Sequence, residues 1–242
     1  MLADSMKMIC AIYLSVLKDG KWSDPQKMDD KINFPGSTNT QPNMGTSKLG
    51  DILYWVSDRP NGEGGQDIWF STIDKNGKYS NPQSVGRKVN TAQNEATPYY
   101  DSKTGTLYFS SEGQIGMGGF DIFKTRGNQK KWETAVNMGY PVNSSVDDMY
   151  FVMDDNGYTG YIVSNRPGTM SVKSETCCDD IWRVEYPKKV FYAVRGNVYD
   201  QDTRQLIPGA KVFFLDKSEK QIGEAISKKD TLYFWNTKPQ HV

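Results

Sequence analysis

The stretch Gly64-Gly65-Gln66-Asp67-Ile68-Trp69 decides the fold, because it returns as Gly118-Gly119-Phe120-Asp121-Ile122-Phe123 and, in degraded form, as Cys178-Asp179-Asp180-Ile181-Trp182. Ahead of these copies stand Leu53-Tyr54-Trp55-Val56-Ser57, Leu107-Tyr108-Phe109-Ser110-Ser111 and Gly160-Tyr161-Ile162-Val163-Ser164. An aromatic residue (Trp22, Tyr79, Trp132) is followed at one fixed interval by asparagine (Asn33, Asn90, Asn143). Agreement at several separated positions marks an internal repeat whose unit holds at least two strands joined by a loop.

From Ile12 to Ile68 is 56 positions, from Ile68 to Ile122 is 54, and from Ile122 to Ile181 is 59. That period exceeds helical solenoid units and suits a four-stranded propeller blade with long loops. Short aromatic and β-branched runs between Gly, Asn, Asp and Pro read as strands, and no useful stretch has apolar residues at helical spacing. The expected fold is all-β: a partial β-propeller of about three and a half four-stranded blades over residues 1–190, then a small, incomplete β-sandwich over 191–242.

Hydrophobic content of 37% with 12% aromatic residues can fill a core in a chain of 242 residues. Lys plus Arg and Asp plus Glu are 29 each, so no basic field exists to hold nucleic acid or an anionic membrane. No run reaches the length of a membrane-spanning helix. The only histidine, His241, stands beside the C-terminus, which removes catalysis that needs an imidazole on a rigid scaffold. Cys177-Cys178 lacks the paired spacing of structural zinc ligands; an exposed loop is expected there, with a vicinal disulfide if the protein is exported. No cofactor or metal is expected.

Residues Met8 to Leu17 resemble the apolar core of a signal peptide, but Ala11-Ile12-Tyr13-Leu14-Ser15 and Lys18-Asp19-Gly20-Lys21-Trp22 align with Asp67 to Ser71 and Lys75 to Tyr79. They read as a strand, turn and strand, with Cys10 a buried thiol. Pro42, Pro98 and Phe151 are expected just before the innermost strand of each blade. The glycines at 62–65 and 113–119 resemble phosphate loops, but a strand rather than a helix follows, so they read as turns. Asp67, Asp121 and Asp180 invite a metal or catalytic reading; repetition in every unit points instead to capping of the N–H groups of their own hairpin. Asp154-Asp155-Asn156-Gly157 has some donors of a calcium loop without its later bidentate glutamate and reads as a turn. The equivalent placement of Arg59 and Arg166 predicts guanidinium bridges to loop carbonyls or a nearby carboxylate. After Pro187 the period stops, and residues 194–216 alternate apolar and polar around Pro208-Gly209, the pattern of antiparallel strands.

The combination L-Y-F-S-S, G-x-G-G-x-D-I-[WF], W-x-x-P and [IV]-N, over nearly all of residues 11–186, resembles the TolB-like, WD-type (PD40) propeller repeats of OmpA-family outer-membrane proteins. V-x-G-x-V-x-D-x-x-T-x-x-x-[IL]-P-G-A-x-V resembles the start of a carboxypeptidase-regulatory-like sandwich, and the domain order is similar to that of a periplasmic type IX secretion component. The resemblance implies a non-catalytic periplasmic scaffold, outer-membrane associated, that docks envelope proteins; peptidoglycan would be gripped through an OmpA-like domain that this sequence does not contain. The alternative is a carbohydrate- or peptide-binding propeller using Arg59 and Arg166. A hydrolase-accessory propeller fits less well, since no G-x-S-x-G elbow is present and Ser71 to Gly77 misses the sialidase turn spacing. The repeat also predicts an open arc of blades that self-associates.

Overall fold

Alternation along Ile52-Leu53-Tyr54-Trp55-Val56 sets the environment of the first complete sheet. Ile52, Tyr54 and Val56 join one apolar cluster with Phe70, Tyr100, Leu107, Phe109, Phe123 and Trp132. Leu53 and Trp55 join a second with Ile12, Ile32 and Trp69. Successive strand side chains point to opposite faces, so a run with no polar residue is a strand covered on both sides.

A computed structural model describes residues 9–47, 50–170, 179–186, 192–215, 218–228 and 232–236. Cys177, Cys178 and His241 lie outside them. The chain divides into two units, residues 1–185 and 186–242. The described residues are all-β, without a helix, in antiparallel sheets of which none closes on itself.

The first unit begins with four two-residue strands, β1 (Tyr13–Leu14), β2 (Leu17–Lys18), β3 (Lys21–Trp22) and β4 (Gln26–Lys27), where β1 pairs β4 and β2 pairs β3. The first sheet runs β5 (Asn39–Ser47), β6 (Gly50–Ser57), β7 (Asp67–Ile73), β8 (Gln83–Ser84) in spatial order. The second has β9 (Glu95–Asp101), β10 (Thr106–Ser111), β11 (Asp121–Asn128) and β12 (Lys131–Trp132), with β13 (Val136–Asn137) also on β11. The third has three described strands, β14 (Asp148–Met153), β15 (Thr159–Ser164) and β16 (Asp180–Glu185). Tyr54 of β6 meets Tyr100 of β9 with ring centroids 5.3 Å apart, and Tyr108 of β10 meets Phe151 of β14 at 4.6 Å. Each sheet therefore covers the next with aromatic rings.

Pro42, Pro98 and Phe151 lie inside β5, β9 and β14 rather than before them. The residue ahead of each has a left-handed backbone, Gln41 at φ 52°, Thr97 at 50° and Tyr150 at 53°, and the register shifts there in all three strands. A bulge leaves one residue outside the ladder, which is where proline costs no hydrogen bond. The three bulges are tied together: Thr97 N donates to Gln41 Oε1 (2.8 Å), and Tyr150 N donates to Thr97 Oγ1 (3.2 Å).

The repeated aromatic position is unequal in burial. Trp132 packs between Tyr54 and Tyr100, Tyr79 packs half-buried against the second cluster, and Trp22 is 69% exposed. Trp132 is buried because it leans on the sheet before its own. Cys10, expected as a buried thiol, is half-buried.

The outer face of the third sheet differs from its counterparts. Ile68 and Ile122 are fully buried, whereas Ile181 at the matching position is 76% exposed, beside exposed Tyr161 and Val152. We expect this chain to self-associate through that face, and Ile181→Lys to reduce association in light scattering and binding of a hydrophobic dye. Monodisperse wild-type monomer at high concentration, without dye binding, would reject this.

In the second unit β17 (Tyr192–Gly196) pairs β20 (Leu232–Asn236), and β18 (Lys211–Leu215) pairs β19 (Gln221–Ile226). Among the described residues, the strands on either side of Pro208-Gly209 are antiparallel, β17 with β20 and β18 with β19 rather than with each other.

Candidate functional site

The polar residues singled out by the repeat turn toward their own backbone. Asn33 Oδ1 accepts from Ile12 N (2.7 Å), Asn90 Oδ1 from Ile68 N (2.9 Å), and Asn143 Oδ1 from Ile122 N (2.8 Å). Each Nδ2 donates back to the same isoleucine's carbonyl, at 2.9, 3.0 and 2.9 Å. The side-chain amide thus continues the ladder past the end of the short outer strand, as a further peptide group would. A turn aims it there, closed by Asn33 N to Asp29 O, Asn90 N to Gly86 O and Asn143 N to Gly139 O.

Asp67 Oδ2 accepts from Glu63 N and Gly64 N, and Asp121 Oδ2 from Met117 N and Gly118 N. Asp180 Oδ2 accepts from Met170 N at 2.7 Å. Burial holds the Asp67 carboxyl above its ordinary range, against the pull of its two backbone donors. The glycines fit this loop to its neighbours: a Cβ at Gly64 would stand 2.4 Å from Thr91 O, and one at Gly118 2.0 Å from Val146 O. A strand follows each loop, β7 and β11, so these glycines serve close approach rather than a phosphate.

Arg59 and Arg166 repeat one arrangement. Arg59 Nε donates to Ser57 Oγ, Nη1 to Lys31 O, and Nη2 to Ile32 O and Asn39 Oδ1. Arg166 Nε donates to Ser164 Oγ, Nη1 to Pro141 O, and Nη2 to Val142 O and Asp148 Oδ1. The fork of guanidinium donors suits convergent carbonyls. One difference separates the two. Arg166 faces the carboxylate Asp148 at 2.5 Å, whereas every one of these acceptors of Arg59 is neutral. Desolvation pushes the Arg59 pKa down to about 10. The rings of Trp55, Trp69 and Phe34 lie 5.1, 5.2 and 5.9 Å from its guanidinium carbon.

In the second sheet this position is Gly113, and Gln114 Nε2 donates to Val89 O in the arginine's place. Sequence reading missed this substitution because it lies one position along. The acid at the Asp148 position is Glu95, fully buried, taking Thr91 N, Thr91 Oγ1 and Ser111 Oγ. Desolvation raises its pKa, and the hydrogen bonds offset that in part. A raised folded-state pKa means that Glu95 favours folding fully below the unfolded carboxylate pKa and loses that contribution as pH rises through its folded value. Glu95→Gln removes the titration, so the stability of the variant relative to wild type should increase from acid to neutral pH in urea melts. A difference constant with pH would reject this; Asp67, shifted the same way, is present in both proteins.

An open groove of about 690 Å³ adjoins Arg59. Asp30, Lys31 and Phe34, then Pro60 and Asn61, then Trp69, then Asn81 to Ser84, and Lys130 from the β11–β12 turn line it. Arg166 has the same clamp; the groove adjoins Arg59. A smaller hollow of about 380 Å³ holds Asp101, Asp154 and Asp155, where Lys103 Nζ donates to Asp155 Oδ1 and Asp154 Oδ1 takes Tyr158 N and Thr159 N. Among the described residues no group of three or more His, Cys, Asp or Glu is placed to hold a metal ion, and no helix is long and apolar enough to cross a membrane. Scanned against models of known protein families the chain matches none, and a search of curated proteins finds no match.

Proposed function

We propose that the first unit is a run of β-propeller-type blades and that the chain is a non-catalytic scaffold binding proteins of the cell envelope, on the periplasmic side of the outer membrane. The observation that carries the non-catalytic part is the fate of the repeated polar side chains. Asn33, Asn90, Asn143, Asp67 and Asp121 all bond to backbone of their own or the adjoining segment. Such groups hold structure and are not aimed at a substrate. The resemblance to TolB-like repeats, to type IX secretion components and to a carboxypeptidase-regulatory-like second domain supplies the envelope setting, with peptidoglycan contact assigned to a separate domain.

Affinity capture of the full chain from an envelope lysate, with cross-linking, should return a stoichiometric protein partner, while a glycan array stays blank. Turnover of a peptidase or glycosidase substrate, abolished by Asp121→Asn, would overturn the reading. A second reading, a carbohydrate- or peptide-binding propeller, is favoured by one observation: the groove beside Arg59.

A further inference from the structure

We propose that the groove beside Arg59 binds an extended acidic peptide, one carboxylate of which completes the hydrogen bonding of Arg59. This rests on the reading of the chain as a protein-binding scaffold and assigns that role to a place. The first observation is a difference within the molecule. The two arginine clamps match atom for atom, yet Asp148 stands against Arg166 where Asn39 stands against Arg59. Arg59 is 7% exposed, and the acceptors that hold its guanidinium are all neutral, so the cation is largely out of water with no carboxylate among its hydrogen-bond partners, an arrangement that favours a nearby anion. Of the five N–H donors of a guanidinium, the bonds to Ser57, Lys31, Ile32 and Asn39 use four and leave one on Nη1.

The second observation is the groove itself. Arg59, Lys31 and Lys130 against the single Asp30 give its lining an excess of positive charge. Trp69 and Phe34 flank the arginine with apolar surface, and a carboxylate meeting the guanidinium there would form a charge-assisted hydrogen bond. The third observation selects a peptide over other anions. Gln83 and Ser84, which line the groove, form β8, the outermost strand of its sheet, so among the described residues one edge of β8 carries no strand. The side-chain amides of Asn61, Asn81 and Gln83 add donors and acceptors along the same wall. An extended chain can take main-chain hydrogen bonds from such an edge and place alternate side chains in the groove.

The test is fluorescence anisotropy of a labelled, terminally blocked peptide of alternating Glu and Val, with its Gln counterpart, on the full chain. We expect the Glu peptide to bind, the Gln peptide to bind weakly, and high salt to release the former. Asn39→Asp installs the countercharge found at Asp148 and should weaken Glu-peptide binding about tenfold or more, the scale of one lost charge-assisted hydrogen bond. Because it also replaces the Asn39 Nδ2 bond to Ser37 O, its melting curve is compared first. Lys31→Ser and Lys130→Ser, which alter exposed side chains only, should each weaken binding about threefold, as rim charges do. Equal affinity for Glu and Gln peptides, or binding unchanged in Asn39→Asp and both lysine variants, overturns the proposal. So does uptake of an oligo-glucuronate with no uptake of the Glu peptide. If the groove fails while the envelope partner is still captured, the scaffold reading stands without it; if neither binds, both fall.

Discussion

Asn90→Ala is expected to lower the melting temperature by roughly 6–10 °C, the equivalent of about 3 kcal/mol in a domain of this size. The change strands Ile68 N, whose acceptor is Asn90 Oδ1, and removes one of two donors to Ile68 O, the other being Val85 N. Both groups sit where water does not reach, since Ile68 and Asn90 are buried. Asn90→Asp keeps the acceptor but turns a carboxylate toward Ile68 O and Ser84 Oγ, so it should fail nearly as badly. Amide hydrogen exchange at Ile68 reads the effect locally: protection should fall there first. A variant melting within a degree of wild type would show that the asparagine ladder contributes little.

Gly118→Ala should cost about 3 kcal/mol, near the upper end for forcing volume into a packed site. Its Cβ would stand 2.0 Å from Val146 O and within 3 Å of Val146 C and N, so backbone must move. That segment is pinned on its far side, where Phe120 N donates to Asp147 Oδ1 (2.9 Å) and Asp148 N donates to Phe120 O (2.8 Å). The expected signature is loss of hydrogen-exchange protection at Asp148 and Tyr150 with Ile68 unchanged. Gly196→Ala, where a Cβ meets nothing within 4 Å, should stay within about 0.5 kcal/mol of wild type. Equal destabilisation by the two would mean that close approach is not what Gly118 provides.

The repeat made the strands around Ile68, Ile122 and Ile181 legible, because buried strands need apolar, β-branched and aromatic residues at fixed offsets from their turns. Its spacing also flagged Asn33, Asn90 and Asn143, although an amide that imitates a strand leaves no signature beyond the interval. Pro42 and Pro98 misled because proline reads as a break, whereas a bulge accepts it inside the strand. Trp22 aligned perfectly with Trp132 and yet is exposed, since burial depends on what packs above the residue rather than on the residue. The groove was illegible for another reason. Its wall is assembled from residues near 30, 60, 69, 82 and 130, and no local pattern records that they meet.

The tied bulges govern where the chain tolerates insertions and deletions. Gln41, Thr97 and Tyr150 hand one sheet's N–H to a side chain of the sheet before, although they are separated by 56 and then 53 positions. The difference must be absorbed outside the inner strands, in the turns and outer hairpins. One residue deleted between Asn39 and Gln41 would shift a donor–acceptor pair on which two sheets depend. One residue deleted from the exposed turn at Asp74 to Lys78 would break bonds internal to that turn, such as Lys78 N to Asp74 Oδ1, and leave the ties between sheets intact. Length variation among sequences of this kind is therefore expected to cluster at the outer turns, with the inner strands constant in length.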